Sequence, residues 1–294
     1  MKLQTIHKLL GSASIGIILT GSLLASATTM AQVDGGPQAP RANVAHLAPF
    51  ADTLAGTEVS VEVEGTEVIS SVVFNQSSGY LDLSSVFEGI SFEVDVDVFA
   101  PPGAATPAIS DTFDLNPDTD YTIAAVGNGT LQPLDFLLLD DSPVLPVRGD
   151  NVALLRIVHA APFADNATDT EVSIRLQDGT VVAGLTNVPY GADSGFLDLP
   201  PGTYDLLIAT PDGSTPLIDP LPVDLAAGDI FTVFAVGDID NQPLGITLQG
   251  TDGSFTSLPL ARGTPGTVSV PTLGTIGLLL MIGLLAFVAV RRFA

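Results

Sequence analysis

Of the three histidines in the 294 residues, two stand in matching surroundings. His46 opens His46-Leu47-Ala48-Pro49-Phe50-Ala51-Asp52, and His159 opens His159-Ala160-Ala161-Pro162-Phe163-Ala164-Asp165. An imidazole can serve as a general base or a metal ligand. A base needs an orienting partner, and catalysis needs a nucleophile and a pocket. A zinc site with one histidine from each copy would need carboxylates to complete it. No nucleophile elbow, paired-histidine motif or carboxylate dyad of recognisable spacing lies near either residue. There is no cysteine, which removes disulfides, thiolate zinc sites and cysteine nucleophiles together. The simpler role for each imidazole is structural, at a strand end, bonding backbone in the Ala-Pro turn that follows. These residues predict no enzyme.

The other chemistry on offer is oxygen ligation. Residues 111–120 read Asp-Thr-Phe-Asp-Leu-Asn-Pro-Asp-Thr-Asp, the densest acidic loop of the chain. Calcium takes roughly six to eight oxygens, and Asp114, Asn116, Asp118 and Asp120 are the side chains that could supply several. Their spacing matches no EF-hand. The corresponding loop, Asp224-Leu225-Ala226-Ala227-Gly228-Asp229, keeps few of the acids. An Asx-rich turn between strands accounts for the same residues. Calcium is thus the one cofactor the residues bring into view, and nothing requires it.

Charge narrows the partners. Lys+Arg number 9 against 33 Asp+Glu, a formal charge of −24. No Lys or Arg occurs from residue 42 to residue 147. Such a surface repels phosphate backbones and anionic headgroups, which argues against nucleic acid as a partner. Glu93, Asp95 and Asp97 alternate with Val94, Val96 and Val98, the period of a strand with one wet face.

The elements that must carry these residues come in two copies. Thr57-Glu58-Val59-Ser60-Val61 matches Thr170-Glu171-Val172-Ser173-Ile174, at the same offset as the histidine blocks. Gly79-Tyr80-Leu81-Asp82-Leu83 matches Gly195-Phe196-Leu197-Asp198-Leu199. Tyr121-Thr122-Ile123-Ala124-Ala125-Val126-Gly127 matches Phe231-Thr232-Val233-Phe234-Ala235-Val236-Gly237, and Gln132-Pro133-Leu134 matches Gln242-Pro243-Leu244. The blocks keep their order, so the body is two copies of one domain, residues 42–148 and 151–258. Alternating apolar positions and turn signals at Glu64-Gly65, Asp178-Gly179 and Asp212-Gly213 predict about seven short strands in each. The expected fold class is all-β, two tandem antiparallel β-sandwiches of immunoglobulin-like type.

The opening His159-Ala160-Ala161-Pro162-Phe163-Ala164-Asp165, with Leu199-Pro200-Pro201-Gly202-Thr203-Tyr204-Asp205 and Phe231–Gly237, resembles the domain of unknown function 4397 family. The first copy departs from it where 87–92 replace the Pro-Gly-Thr-Tyr turn. The resemblance implies a β-sandwich module of a bacterial envelope protein and no activity.

Both ends read as targeting segments. Lys2 and Lys8 precede an apolar run at 9–24 and small residues, which predicts a signal peptide over 1–31 cut after Ala31. Residues 32–41 read as a disordered leader. Residues 260–269, rich in Gly, Thr, Pro and Ser, read as a stalk. The stretch 273–290 carries no charge and is followed by Arg291-Arg292. Its length just suffices for one transmembrane helix, with the arginines on the cytoplasmic side. Val270-Pro271-Thr272-Leu273, that helix and the terminal arginines resemble the IPTL-CTERM sorting tails of bacterial surface proteins. That resemblance implies an exosortase-like processing protease as a partner of the 270–294 tail. The expectation is an exported, membrane-tethered surface protein in a structural, adhesive or matrix role, contacting extracellular polymer or protein. The alternative is a calcium- or small-ligand-binding module with its site in loops at one end of each sandwich.

Overall fold

The computed structural model describes residues 38–84, 93–142, 151–166, 168–182 and 184–261. The expected signal peptide with Ala31, most of the leader and stalk, the motif Val270–Leu273 and the stretch 273–290 lie outside the described residues. Among the described residues no helix is long and apolar enough to cross a membrane. The one helical segment among them is a 3₁₀ turn, Leu54–Thr57.

The first copy forms β1 (Arg41–His46), β2 (Val59–Val63), β3 (Thr66–Val72), β4 (Gln76–Asp82), β5 (Glu93–Phe99), β6 (Ile109–Asp114), β7 (Asp120–Val126) and β8 (Asp135–Asp140). The second forms β9 (Ala153–His159), β10 (Ser173–Leu176), β11 (Asp193–Leu199), β12 (Gly202–Tyr204), β13 (Leu206–Ala209), β14 (Pro216–Ile218), β15 (Val223–Leu225), β16 (Ile230–Val236), β17 (Gly245–Gln249) and β18 (Phe255–Leu258). Local chemistry explains particular elements. In β5 the valines are buried while Glu93 and Asp95 are exposed, the alternation a pleated strand imposes. Glu64 and Gly65 both have positive φ, which gives the tight β2–β3 hairpin the twist its strands need.

The first copy has two four-stranded sheets, ordered β4-β1-β7-β8 and β3-β2-β5-β6. One core cluster joins them: Val44 and Ile123 from the first sheet, Val61, Val94, Val96 and Phe113 from the second. The second copy has the sheet β11-β9-β16-β17-β18, faced by β10-β13-β14 and the pair β12-β15. Leu155, Ile157, Ile174, Ile208 and Val233 are among its core residues. Two features go beyond an all-antiparallel reading with seven strands per copy. The central pairs β1–β7 and β9–β16 are parallel, in equivalent registers (Ala42 beside Tyr121, Leu155 beside Phe231), and every other strand pairing among the described residues is antiparallel. The second copy also breaks its outer layer into three-residue strands around Pro216, Pro220 and Pro222, because proline cannot donate to a ladder.

The copies are not separate beads. A third apolar cluster takes Ala45, Leu47, Phe74, Ala124, Val126 and Leu139 from the first copy and Val158, Ala160, Phe234 and Val236 from the second. Along β7, Tyr121 and Ile123 belong to the core of the first copy, while Ala124 and Val126 belong to this seam. Along β16, Val233 and Ala235 face one way and Phe234 and Val236 the other. The central strands are therefore buried on both faces, and two sandwiches share an inner seam.

Candidate binding cleft at the seam between the repeats

The two histidines end β1 and β9, and each is sealed in. His46 is 2% exposed and His159 1%. Nε2 of each donates to a carbonyl eleven residues on, Thr57 O and Thr170 O, both at 2.7 Å. The Nδ1 atoms accept from Ala48 N and Ala161 N at 3.4 Å, in the Ala-Pro turn. Phe50 and Phe163 lie beside the rings, at 5.7 Å between centroids in both copies. Burial pushes both imidazoles down to about 4, against a smaller opposing effect of the carbonyl bond. Both nitrogens of each ring are thus committed to backbone, and the ring pins the loop that returns from its own strand.

The four oxygen ligands of the acidic loop are drawn to separate tasks. Asp114 ends β6 opposite Glu93. Asn116 donates to the hydroxyl of Tyr121. Asp118 accepts from Gln38 N at 2.9 Å. Asp120 takes a two-pronged bond from Arg41, at 2.7 and 2.6 Å. Among the described residues no group of three or more His, Asp or Glu stands where it could hold a metal ion.

Polar chemistry concentrates instead at the seam. Equivalent residues meet across it at one end. Asn128 Nδ2 donates to Asp238 Oδ2 at 3.0 Å. Gln132 Nε2 donates to Ala164 O at 2.9 Å, and its counterpart Gln242 Nε2 donates to Ala51 O at 2.8 Å. This is the self-complementary pattern of a two-fold interface, made here within one chain.

At the other end the pattern is asymmetric. Arg156 lies in β9, buried to 3% exposure of its side chain, and pairs with Asp141, at 5%. Its Nη1 also donates to Asp140 O at 2.8 Å, its Nε to Thr232 Oγ1 at 3.1 Å, and its guanidinium covers the ring of Phe196 at 4.7 Å. The second carboxylate oxygen of Asp141 accepts from Tyr80 at 2.7 Å, Thr122 at 2.5 Å and Gln249 Nε2 at 3.1 Å. Burial, and then the charge of Asp141, raise the Tyr80 hydroxyl well above the usual phenol range, so it stays a donor. A cleft of about 330 Å³ opens beside this network, and Tyr80, Asp120, Asp141, Phe196, Thr232 and Gln249 are among its walls. Tyr80 and Phe196 are counterparts in the two copies, so the cleft belongs to neither alone. Gln249 is 3% exposed, and its Oε1 meets no hydrogen-bond donor among the described residues.

The family model described as domain of unknown function (DUF4397) matches residues 40–170 and again 153–254. The chain belongs to this family. The two DUF4397 matches share residues 153–170, which contain β9 and its buried Arg156 and His159. No curated protein matches the sequence. Among solved structures, the Bacillus anthracis TIE protein is 12% identical, with 76% of this chain aligned to 44% of that one and a TM-score of 0.20. A candidate adhesin from Bacteroides ovatus is 9% identical, over 76% of this chain and 95% of that one, with a TM-score of 0.17. The chain therefore spans less than half of the first of these, and both TM-scores are too low to relate the folds.

Sequence reasoning placed a candidate site in loops at the end of each DUF4397 copy; the cleft lies between the copies. It missed Arg156, Asp141 and Gln249. A signal was present for the first: a lone arginine inside Leu154-Leu155-Arg156-Ile157-Val158 must find a buried partner if that strand is covered on both sides. Gln249 and Asp141 sit in ordinary polar surroundings in the sequence and carry no such signal.

Proposed function

We propose that this DUF4397 protein is an exported, membrane-tethered bacterial surface protein in a structural or adhesive role. Each repeat is read as an immunoglobulin-like sandwich, and the pair as one stiff body presented outside the cell. The observation that carries this reading is the shared seam, where ten buried residues from both copies form one apolar cluster. A tether of flexible beads would not need it; a presented body that must hold its shape does. The signal-like start and the apolar, arginine-ended finish of the sequence support export and anchoring. The net charge of −24 supports partners other than nucleic acid. With both imidazoles committed to backbone, no catalytic role is proposed for them.

The test is protease treatment of intact cells with mass spectrometry of both mature ends. The reading expects a body accessible from outside and an N-terminus at Gln32. A polypeptide retained in the cytosol with Met1 attached overturns it. A C-terminus near Pro271 supports sorting by an exosortase-like protease, and an intact Arg292-Phe293-Ala294 end on the exported protein rejects that step.

A second reading, a small-ligand-binding module, is favoured by one observation: the cleft of about 330 Å³ at the seam, with Tyr80 of one copy and Phe196 of the other among its walls. The acidic loop favours calcium less, since Arg41 and Gln38 N already hold Asp120 and Asp118.

A further inference from the structure

We infer that Thr122 and Gln249 join in an ester bond that ties the first repeat to the second. The two side chains already touch across the seam. Thr122 lies in β7 and is fully buried, and Gln249 ends β17 at 3% exposure. In its own sheet Gln249 stands opposite Thr232, yet its amide crosses to the other copy, where Nε2 donates to Thr122 Oγ1 at 2.7 Å. A carboxylate stands against both groups. Asp141 Oδ2 accepts from Thr122 Oγ1 at 2.5 Å and from Gln249 Nε2 at 3.1 Å. Arg156 holds the other oxygen, Oδ1, which leaves Oδ2 turned to the pair. A hydroxyl bonded to a base and set against an acyl group is the arrangement of an activated nucleophile. The trio occurs once. In the first copy Leu139 takes the place of Gln249, opposite Thr122, and in the second Thr232 accepts from Arg156 instead. The chain has no cysteine, and no lysine among the described residues, so neither a disulfide nor a lysine-derived amide can link the copies there.

The step balances within the chain. Asp141 Oδ2 takes the proton of Thr122 as Oγ1 adds to Gln249 Cδ, and the carbonyl electron pair moves onto Oε1. The tetrahedral intermediate then collapses. The C=O bond re-forms, the Cδ–Nε2 bond breaks, and Asp141 passes the proton to Nε2. Ammonia leaves with the two amide hydrogens and the one from Thr122, and Asp141 returns to its starting state. One hydroxyl and one amide have become one ester and one ammonia, with no oxidant or cofactor. The cleft of about 330 Å³ beside Asp141 and Gln249 gives the ammonia a way out, while the burial of Thr122 shields the product from water. The state of Gln249 Oε1 sets the pace. It is buried and meets no donor among the described residues, and a missing oxyanion donor slows such a step by roughly 10²–10³. The bond is therefore made once, slowly, after folding. The same atom gains by the reaction. An ester carbonyl is a weaker acceptor than an amide carbonyl, so leaving it buried without a partner costs less.

The experiment is mass spectrometry of the purified full chain, fresh and after days of incubation. The intact protein should become lighter by one ammonia. Cyclisation of an N-terminal glutamine, or of Asn128 next to Gly129, gives the same loss, so a proteolytic digest is fragmented as well. The expected product is one species that joins the peptide of Thr122 to that of Gln249, 127 residues away, and mild alkali should split it as it splits esters. Thr122→Val keeps the shape and removes the hydroxyl, and Gln249→Met removes the acyl group, so both should lack the joined species. Asp141→Asn should form it about a hundredfold more slowly. The parent and Thr122→Val decide the matter even where Asp141→Asn fails to fold. Separate, unmodified Thr122 and Gln249 peptides in the incubated parent, or a joined species that survives Thr122→Val, overturns the inference. The bond is read independently of cellular location, so it can fail while the surface reading stands.

Discussion

The two repeats are alike where a residue serves its own repeat, and, Gln132 and Gln242 aside, several residues that face outward from it differ. His46 and His159 make the same two backbone contacts at the same distances. Gly127 and Gly237 occupy the same left-handed conformation, with φ of 86 and 88. By contrast, Asn43 in β1 corresponds to Arg156 in β9, Asn128 to Asp238, and Glu62 to Arg175. The first two of these differing pairs lie on the seam and the third on an outer sheet. A face that meets a non-identical partner needs complementary residues, not copied ones. The divergence therefore commits the first repeat to the second, and it does so most strongly around the Arg156–Asp141 pair.

The twin histidines give the largest expected effect and the strictest check on the likeness. Their folded values of about 4 lie below the ordinary value of 6.5. Both copies are therefore fully stabilised above pH 6.5. As the pH falls below that, the unfolded chain takes up protons that the folded chain refuses, and stability drops until the folded imidazoles titrate near pH 4. The loss is about 3 kcal/mol for each ring. Denaturant midpoints between pH 7 and pH 4 should show this slope, with His46→Gln and His159→Gln each removing about half of it. NMR titrations of the two rings that differ by a unit or more would break the equivalence.

Next comes the pair that the repeats do not share. Asp141→Ala leaves Arg156 buried without its carboxylate and should cost about 3–5 kcal/mol in a denaturant titration. Replacing both, as Arg156→Met with Asp141→Leu, should recover most of that loss, because two desolvated charges go together. A double variant as unstable as Asp141→Ala would mean that the remaining bonds to Tyr80, Thr122, Thr232 and Gln249, not the ion pair, set the cost.

The glycines return to what the repeats share. A Cβ at Gly127 would lie 1.9 Å from Pro133 O, and one at Gly237 2.1 Å from Pro243 O. Gly127→Ala and Gly237→Ala should each lower stability by about 2–3 kcal/mol. Each glycine also directs the chain into the next residue, Asn128 or Asp238, at the seam. Unequal costs in calorimetry would show that one repeat tolerates a shifted turn there and the other does not.

How much of this was legible follows from what each strand faces. Strands with one wet face announce themselves, and β5 was readable from Glu93 to Val98. Strands such as β7, β9 and β16, covered on both sides, give near-continuous apolar runs in which no alternation points to the second face. The histidine and Thr57 blocks were visible as repeats at one offset, but their contact was not, because spacing in sequence says nothing of where a loop returns. The seam and its cleft arise from the packing of one copy on the other. No short-range pattern carries that, apart from the stranded arginine.

The smallest effect tests the outer faces. In the first repeat Glu62 stands directly across from Glu67 on one side and Asp97 on the other. Its counterpart Arg175 instead donates to Ser173 Oγ at 2.9 Å, Gly179 O at 3.0 Å and Pro211 O at 2.9 Å. Like charges opposite one another on a sheet repel, and a screening length of ~10 Å at 0.1 M salt weakens that repulsion. The parent protein should therefore unfold at higher temperature as salt rises. Glu62→Arg copies the second repeat and turns two repulsive neighbours into attractive ones, a gain of about 0.5–1 kcal/mol at low salt. The gain should shrink toward molar salt, since the parent is relieved by screening and the variant has less to relieve. A gain that stays constant with salt would assign the benefit to packing of the longer side chain, and the acidic face of the first repeat would then carry no electrostatic cost for the second repeat's arginine to have removed.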